Sequence, residues 1–193
     1  PAFYDGIQVT KDNGQSYVYD NKGNLVSASS AANKSGFTYD GNSNLTKISN
    51  PDGTSFEYTY DTKKNLTSAK NSEGVEYTYT YDMHGNSIQT QAQGTGEEWM
   101  LSSATYTEDG RNILTITDAR GGVSTNTYDA GNRLLTAETD ALGNTVNYTY
   151  DPNNDRLTQV SADNGEETIT SSYSYTGDQL TSITHNGFTY TVN

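Results

Sequence analysis

The sequence predicts an all-β fold of tandem antiparallel β-hairpin repeats that form a twisted, curved and open sheet. Three observations support this fold class. A Tyr-Asp motif recurs along the chain, Gly-containing turn signals lie between its copies, and the segments before the motif alternate apolar with polar residues. Single hairpins are marginally stable in water, but hairpins that stack side by side extend one sheet. No segment keeps a helical period, so we expect almost no helix.

The Tyr-Asp motif, which reads Tyr-Thr at Tyr106 and Tyr175, returns every 20 to 25 residues and defines one array over residues 1–193, with about eight repeats and partial repeats at both ends. The leading tyrosines of the repeats are Tyr19, Tyr39, Tyr60, Tyr81, Tyr106, Tyr128, Tyr150 and Tyr175. The aspartates of the motif are Asp20, Asp40, Asp61, Asp82, Asp129 and Asp151, and its leucines are Leu25, Leu45, Leu66, Leu134 and Leu157. We predict that these residues form the structural motif, with each aspartate bonded to nearby backbone amides.

A second turn signal lies between successive motifs. It occurs at Asn13-Gly14, Asp52-Gly53, Glu73-Gly74, Gly121-Gly122, Leu142-Gly143, Asn164-Gly165 and Asn186-Gly187. Asn-Gly and Asp-Gly supply the positive φ angles of tight hairpin turns. Each repeat is therefore predicted to contain two turns and two strands.

The strand before each motif alternates with period two. Tyr77 and Tyr79 share one face and Glu76 lies on the other, which predicts that Tyr79 is buried and that Glu76 faces outward. Val123 lies five residues before Tyr128 and breaks this parity. We expect a bulge in that copy.

The strand after each motif carries apolar residues three positions apart, as in Leu45 and Ile48. In a regular strand these two side chains would face opposite sides. Either both faces of this strand are partly covered, or a bulge resets the face. The pattern leaves both alternatives open.

Composition excludes several classes of protein. The 193 residues contain no Cys, so disulfides and thiolate metal sites are excluded. A net charge of −13 argues against nucleic acid and anionic membrane surfaces as partners. No apolar run is long enough for a membrane-spanning helix. Sixteen regularly placed tyrosines compensate for the low aliphatic content and argue against disorder.

These motifs resemble the YD repeat, also called the Rhs repeat. The segment YDAGNRL at 128–134 is similar to the family pattern, and the resemblance covers essentially the whole chain. The family includes bacterial Rhs and wall-associated polymorphic toxins, the B and C components of insecticidal toxin complexes, and the teneurins.

The resemblance implies a segment of a large secreted or surface protein, in which a spiral of hairpins closes into a hollow shell around a toxin or effector domain. We expect this chain to be a piece of such a protein, too short to close a shell itself. Its partners would be neighbouring repeats and a downstream domain, and its location extracellular or at the cell surface, above all the bacterial cell envelope. The family's Asp-Pro-x-Gly-Leu cleavage motif is absent, because Asp151-Pro152 shares only its first two residues.

No enzyme chemistry is predicted. His84 and His185 lie in expected turn regions of different repeats, and no zinc-protease, P-loop or nucleophile-elbow motif occurs. The paired acids Glu97-Glu98 and Glu166-Glu167 are adjacent strand residues, which point to opposite faces and cannot flank a glycosidic bond. We expect no cofactor and no metal.

A carbohydrate-binding or adhesive array is the alternative function. The single Trp99 is the candidate ligand contact, because an aromatic side chain on an exposed strand can stack on a sugar. A glycan or cell-wall polymer would then be a partner. Self-association through open edge strands is a further expectation.

Overall fold

The computed structural model describes residues 3–5, 8–31, 33–94, 96 and 98–192. These residues form β-strands joined by turns, and none of them is helical. The predicted all-β class is confirmed. By its contacts the chain divides into two units, Pro1–Leu101 and Ser102–Asn193.

The first unit contains ten strands in chain order. They are β1 (Phe3–Asp5), β2 (Gln8–Asp12), β3 (Gln15–Tyr19), β4 (Leu25–Ser30), β5 (Asn33–Tyr39), β6 (Leu45–Ser49), β7 (Ser55–Tyr60), β8 (Leu66–Asn71), β9 (Glu76–Tyr81) and β10 (Ser87–Gln93). Each strand pairs antiparallel with its neighbours in the chain, from β1 with β2 to β9 with β10.

The second unit repeats this arrangement. β11 (Glu98–Tyr106) begins before Ser102 and pairs from that residue onward with the next strand. The strands that follow are β12 (Ile113–Asp118), β13 (Val123–Tyr128), β14 (Leu135–Thr139), β15 (Thr145–Tyr150), β16 (Leu157–Asp163), β17 (Thr168–Thr176), β18 (Gln179–His185) and β19 (Phe188–Thr191). Here too the described pairings join only neighbours in the chain, so each unit is an open antiparallel meander.

A β-bulge recurs where each leading tyrosine meets the next strand. Tyr39 pairs with Leu45 while Thr38 pairs with Lys47, so Thr46 has no partner across the ladder. Equivalent shifts occur at Tyr19, Tyr60, Tyr81, Tyr106, Tyr128, Tyr150 and Tyr175. The bulge decides between the two alternatives above. It returns the fourth residue of the strand to the face that carries the leading tyrosines, which we call the tyrosine face.

The bulged residue is commonly a threonine, and its hydroxyl is used. Thr46 Oγ1 donates to the carbonyl of Thr38 at 3.1 Å. Thr136, Thr158 and Thr181 make the same bond in their own repeats. The threonine hydroxyl thus donates to a backbone carbonyl whose hydrogen bond to the neighbouring strand is interrupted by the bulge.

The Tyr128 copy follows the common pattern. Its register shift lies between Thr127 and Tyr128, as in the other copies, and β13 itself alternates regularly. Val123 is therefore on the face opposite Tyr128 and is 45% exposed. The five-residue spacing therefore places Val123 on the outward face, and the bulge predicted there at Val123 does not occur.

The second turns use two backbone geometries. At Asn186-Gly187 both residues have positive φ, 45° and 88°, as a two-residue turn requires. At Asp52-Gly53 only the glycine does, at 88°, because the longer loop from Asn50 to Thr54 closes on a single left-handed residue. The prediction of paired positive φ angles holds for the shortest turns only.

Burial is shallow throughout the described residues. Only Ala92 and Thr107 are buried there, since each unit is one sheet without a second layer over it. Tyr79, expected to be buried, is half-buried. Glu76 lies on the face opposite Tyr77, as predicted, and is half-buried there, because Ser68 Oγ donates to its Oε1 at 2.6 Å and Lys70 Nζ lies 3.5 Å from its Oε2.

Candidate functional site

The aspartate of each motif organises the turn that follows it. Asp40 Oδ1 accepts the backbone amides of Asn42 at 2.8 Å and of Asn44 at 2.9 Å. Asn44 Nδ2 donates to Asp40 Oδ2 at 2.9 Å, so both carboxylate oxygens are engaged. The same three contacts recur around Asp20, Asp61 and Asp82. Asp140 repeats them in a second turn.

The asparagine four residues after the aspartate recurs in the motif, but its side-chain contact with the aspartate was not predicted from the sequence. The recurrence is visible in the sequence, where this position holds Asn24, Asn44, Asn65 and Asn86. Donors aimed at a carboxylate favour its charged form. Hydrogen bonds from the Asn44 amide and side chain accordingly lower the pKa of Asp40, and those from Asn24 lower the pKa of Asp20.

The hydroxyl of a leading tyrosine connects its repeat to the preceding one. Tyr60 Oη donates to the carbonyl of Leu45 at 2.9 Å. The equivalent bonds run from Tyr39 to Leu25, Tyr81 to Leu66, Tyr128 to Ile113, Tyr150 to Leu135 and Tyr175 to Leu157, at 2.8 to 3.0 Å. We call these six bonds the hydroxyl ladder.

Each acceptor of the hydroxyl ladder is the apolar residue that starts the strand after a motif. That residue therefore contributes an apolar side chain to the tyrosine face and a carbonyl to the ladder. Partial burial, then the nearby Tyr58 and Asp40, raise the pKa of Tyr60. The shift keeps its hydroxyl a donor over a wider pH range.

The leucine of the Tyr128 copy lies one residue further along than the motif suggested. Tyr128 pairs with Leu135, and Leu134 belongs to the turn, where its amide donates to Asp129 Oδ1 at 3.1 Å. The turn that starts at Asp129 holds one more residue than the turn that starts at Asp40. Consecutive leucines at 134 and 135 hid this insertion.

Basic side chains of the motif turns reach the turn of the next repeat. Lys22 Nζ donates to the carbonyl of Gly41 at 2.6 Å, and Lys63 Nζ donates to that of Met83 at 2.7 Å. Arg133 Nη1 bonds Asp155 Oδ2 at 2.8 Å. Arg156 bonds Gly177 and Asp178, and its guanidinium lies 5.7 Å from the Tyr175 ring centre. Successive motif turns are thus bridged along one rim of each sheet.

Trp99 is 46% exposed, and the tip of its ring lies against the preceding loop. A Cβ built on Gly94 would lie 3.1 Å from Trp99 Cη2. The indole therefore covers a backbone position that has no side chain, and part of its surface remains open.

A shallow cavity of about 400 Å³ lies between the motif turns that start at Asp129 and Asp151. Its lining also includes Arg133, Pro152 and Asp155. The carboxylates here already accept hydrogen bonds, those of Asp129 and Asp155 from Arg133 and that of Asp151 from Asn153.

His185 and the paired glutamates are the other candidate groups. His185 ends β18 instead of lying in a turn, and its Nδ1 is 2.8 Å from Ser171 Oγ on an exposed surface. Glu166 and Glu167 are exposed, whereas Glu97 lies outside the described residues and the side chain of Glu98 is likewise not described. Within the described ranges no three His or acidic side chains group as metal ligands, and no helix of membrane-spanning length occurs there.

Comparison with known proteins identifies the fold. A family model described as the teneurin YD-shell matches residues 5–193. The crystal structure of TcdB2-TccC3 is similar at a TM-score of 0.55 and 13% identity, over 95% of this chain and 13% of that chain. The Tc holotoxin pore of Photorhabdus luminescens gives a TM-score of 0.56, with the same identity and coverage. The chain thus spans about 13% of the length of these structures, and no curated protein matches it. The described strands, the motif turns and the match over residues 5–193 together show that the chain belongs to the teneurin YD-shell family.

Proposed function

We propose that this chain is a non-catalytic wall segment of a large secreted or surface YD-repeat protein, whose repeats together enclose or present a toxin or effector domain. The supporting observation is the hydroxyl ladder, which ties six repeats to the repeat before them through one bond of constant geometry. Localisation outside the cell, at a bacterial envelope, follows from this proposal.

A wall needs cohesion between repeats more than a packed core. The six tyrosines of the hydroxyl ladder keep their rings half-buried on the tyrosine face and donate their hydroxyls to a carbonyl of the neighbouring repeat. The aspartates of the motif fix the turns, and basic residues bridge successive turns. We therefore propose that residues 1–193 act as one array in which the predicted Tyr, Asp and Leu positions serve structure.

The proposal is tested on the full-length polypeptide that contains this segment. Limited proteolysis and cryo-electron microscopy would locate the rest of the chain relative to the repeats. We expect the downstream domain to be protected from protease in the wild type, and to become accessible in the triple variant Tyr39→Phe, Tyr60→Phe and Tyr81→Phe. That variant deletes three bonds of the hydroxyl ladder.

A matched triple variant provides the control. Tyr58, Tyr77 and Tyr79 lie on the same face of β7 and β9, and none of their hydroxyls has a hydrogen bond in the described part of the chain. Replacing these three by Phe should leave protection unchanged. An open sheet with no enclosed or presented domain would contradict the proposal.

Binding of a glycan or cell-wall polymer is a second candidate function. The open part of the Trp99 ring favours it, because an exposed indole offers a flat apolar surface for a sugar ring. Co-sedimentation with purified bacterial cell wall tests it. Binding that is lost in Trp99→Ala but kept in Val123→Ala, a matched exposed apolar residue, would support this function, whereas no co-sedimentation would reject it.

Edge pairing is the proposed route of self-association. All four residues of β19 are exposed, including Phe188 at 73% and Tyr190 at 64%, and no charged residue occurs from Gln179 to Val192. An uncharged edge strand accepts a further strand. Sedimentation velocity should show dimers that Tyr190→Lys removes, and a monomer at all concentrations would contradict this pairing.

A further inference from the structure

The chain contains the tripeptide Asp-Asn-Gly twice, at residues 12–14 and 163–165, and the two copies differ in structure. We infer that Asn13 is a site of spontaneous deamidation, that Asn186 is a second such site, and that the fold protects Asn164. This inference is independent of the proposed wall function. It concerns the chemistry of three exposed turns.

The reaction joins a backbone nitrogen to the preceding side chain. The Gly14 amide loses its proton to solvent base, and its nitrogen attacks Cγ of Asn13. A new C–N bond forms as the Cγ–Nδ2 bond breaks, and ammonia leaves. Water then opens the resulting succinimide at either carbonyl and yields aspartate or isoaspartate. One water is consumed and one ammonia is released, and nothing is oxidised or reduced.

Both reacting groups are restrained in the 163–165 turn. The amide of Gly165 donates to Asp163 Oδ1 at 2.7 Å. Deprotonating this nitrogen would break a charge-assisted hydrogen bond and place a second negative charge beside the carboxylate. The side chain of Asn164 is also held, because its Oδ1 accepts the amides of Glu166 at 3.0 Å and Glu167 at 2.9 Å.

The 12–14 turn restrains neither group. It is a two-residue turn with φ of 46° at Asn13 and 80° at Gly14. Within the described residues, no hydrogen bond holds the Asn13 side chain or the Gly14 amide. The turn at Asn186 has the same form. Among the residues that the structure describes, its side chain and the Gly187 amide have no hydrogen bond, and the backbone nitrogen of Asn186 donates to the carbonyl of Thr170 at 2.9 Å. Glycine leaves each attacking nitrogen unhindered.

Isoaspartate would change the backbone as well as the charge. It adds one backbone carbon to a turn whose geometry accommodates two residues between paired strands. Deamidation at Asn186 would therefore disturb the pairing of β18 with β19, and deamidation at Asn13 would disturb that of β2 with β3.

The test uses the whole chain, folded, in mildly alkaline buffer. Peptide mapping by mass spectrometry would follow the conversion of amide to acid at each asparagine, and electron-transfer fragmentation would identify isoaspartate. We expect Asn13 and Asn186 to react about tenfold faster than Asn164, the factor that corresponds to one lost hydrogen bond to a charged group. In urea the rates at Asn13 and Asn164 should converge, because the two tripeptides are identical.

A pair of variants separates the restraint from general loosening. Asp163→Ala removes the acceptor of the Gly165 amide and should accelerate Asn164, whereas Asp12→Ala should leave the rate at Asn13 unchanged. Circular dichroism would confirm that both variants keep the sheet. The inference would be overturned by equal deamidation rates at Asn13 and Asn164 in the folded protein, or by a rate at Asn164 that Asp163→Ala leaves unchanged.

Discussion

At the scale of single residues, the leading tyrosine combines two contributions that are usually supplied separately. Its ring is half-buried on the tyrosine face, and its hydroxyl bonds a carbonyl of the neighbouring repeat. A phenylalanine would keep the first contribution and lose the second. The alternating pattern predicted the face on which the ring lies. The acceptor of the hydroxyl could not be predicted, because it depends on which carbonyl the bulge brings within reach.

Replacing Tyr60 by Phe should lower the free energy of unfolding by about 1 kcal/mol, the net value of one hydrogen bond. The Leu45 carbonyl would lose its donor while the apolar ring remains. Urea unfolding measures the change. Tyr58→Phe is the control on the same strand and should be neutral, and equal losses in both variants would show that the hydroxyl bond contributes nothing.

Lys64 stands at a place in the motif turn where the backbone is left-handed, with φ of 70°. Gly23 and Gly85 occupy the equivalent place in other repeats, with φ of 86° and 91°. A left-handed conformation costs a residue with a Cβ about 1–2 kcal/mol more than it costs glycine. Part of this difference is offset, because glycine loses more conformational entropy when the chain folds.

We therefore expect Lys64→Gly to stabilise the protein by about 0.5 kcal/mol in thermal or urea unfolding. Lys63→Gly should not, because Lys63 is not among the residues with positive φ and its side chain bonds the carbonyl of Met83. A destabilised Lys64→Gly variant would mean that the long contact of Lys64 with Asn42, at 3.4 Å, outweighs the backbone strain.

At the scale of elements, strands were predictable and their exact register was not. Period-two alternation before each Tyr-Asp motif marked β7, β9 and β15 correctly, because half-buried strands impose that pattern. The bulge after each motif could not be derived, since a three-residue apolar spacing fits two geometries. The extra residue before Leu135 was hidden for a related reason, because the leucine beside it satisfies the same pattern.

The motif turn should be an acid-sensitive element. The pKa of Asp40 is lowered in the folded protein, first by the Asn44 amide and then by its side chain. A carboxyl whose pKa is lower in the folded than in the unfolded protein stabilises the fold at any pH above its unfolded pKa, which is about 4. That stabilisation is lost as the pH falls through the folded pKa.

Urea midpoints at neutral pH and at about pH 3 would measure this loss. We expect Asp40→Asn to be less stable than the wild type at neutral pH and to lose less on acidification. The substitution keeps an oxygen acceptor, but it removes the charge and sets an amide against Asn44 Nδ2. An acid response identical to that of the wild type would show that the other aspartates of the turns carry the effect.

At the scale of the whole molecule, stability should come mainly from contacts between adjacent strands, since little of it can come from a packed core. Burial is limited to Ala92 and Thr107 among the described side chains. In such arrays each strand is stabilised by the strands on either side of it. A strand with two partners should therefore open far less often than one with a single partner.

Hydrogen exchange followed by mass spectrometry tests this within the second unit. β16 pairs with β15 and β17, whereas the only pairing described for β19 is with β18, and all four β19 residues are exposed. We expect the amides of β16 to be protected longest and those of β19 to exchange first, with β18 between them. Uniform protection from β15 to β18 would indicate one cooperative unit instead of neighbour-by-neighbour stability. Slow exchange in β19 that becomes fast on dilution would instead reveal a partner strand on its free edge, because only pairing with another chain depends on concentration.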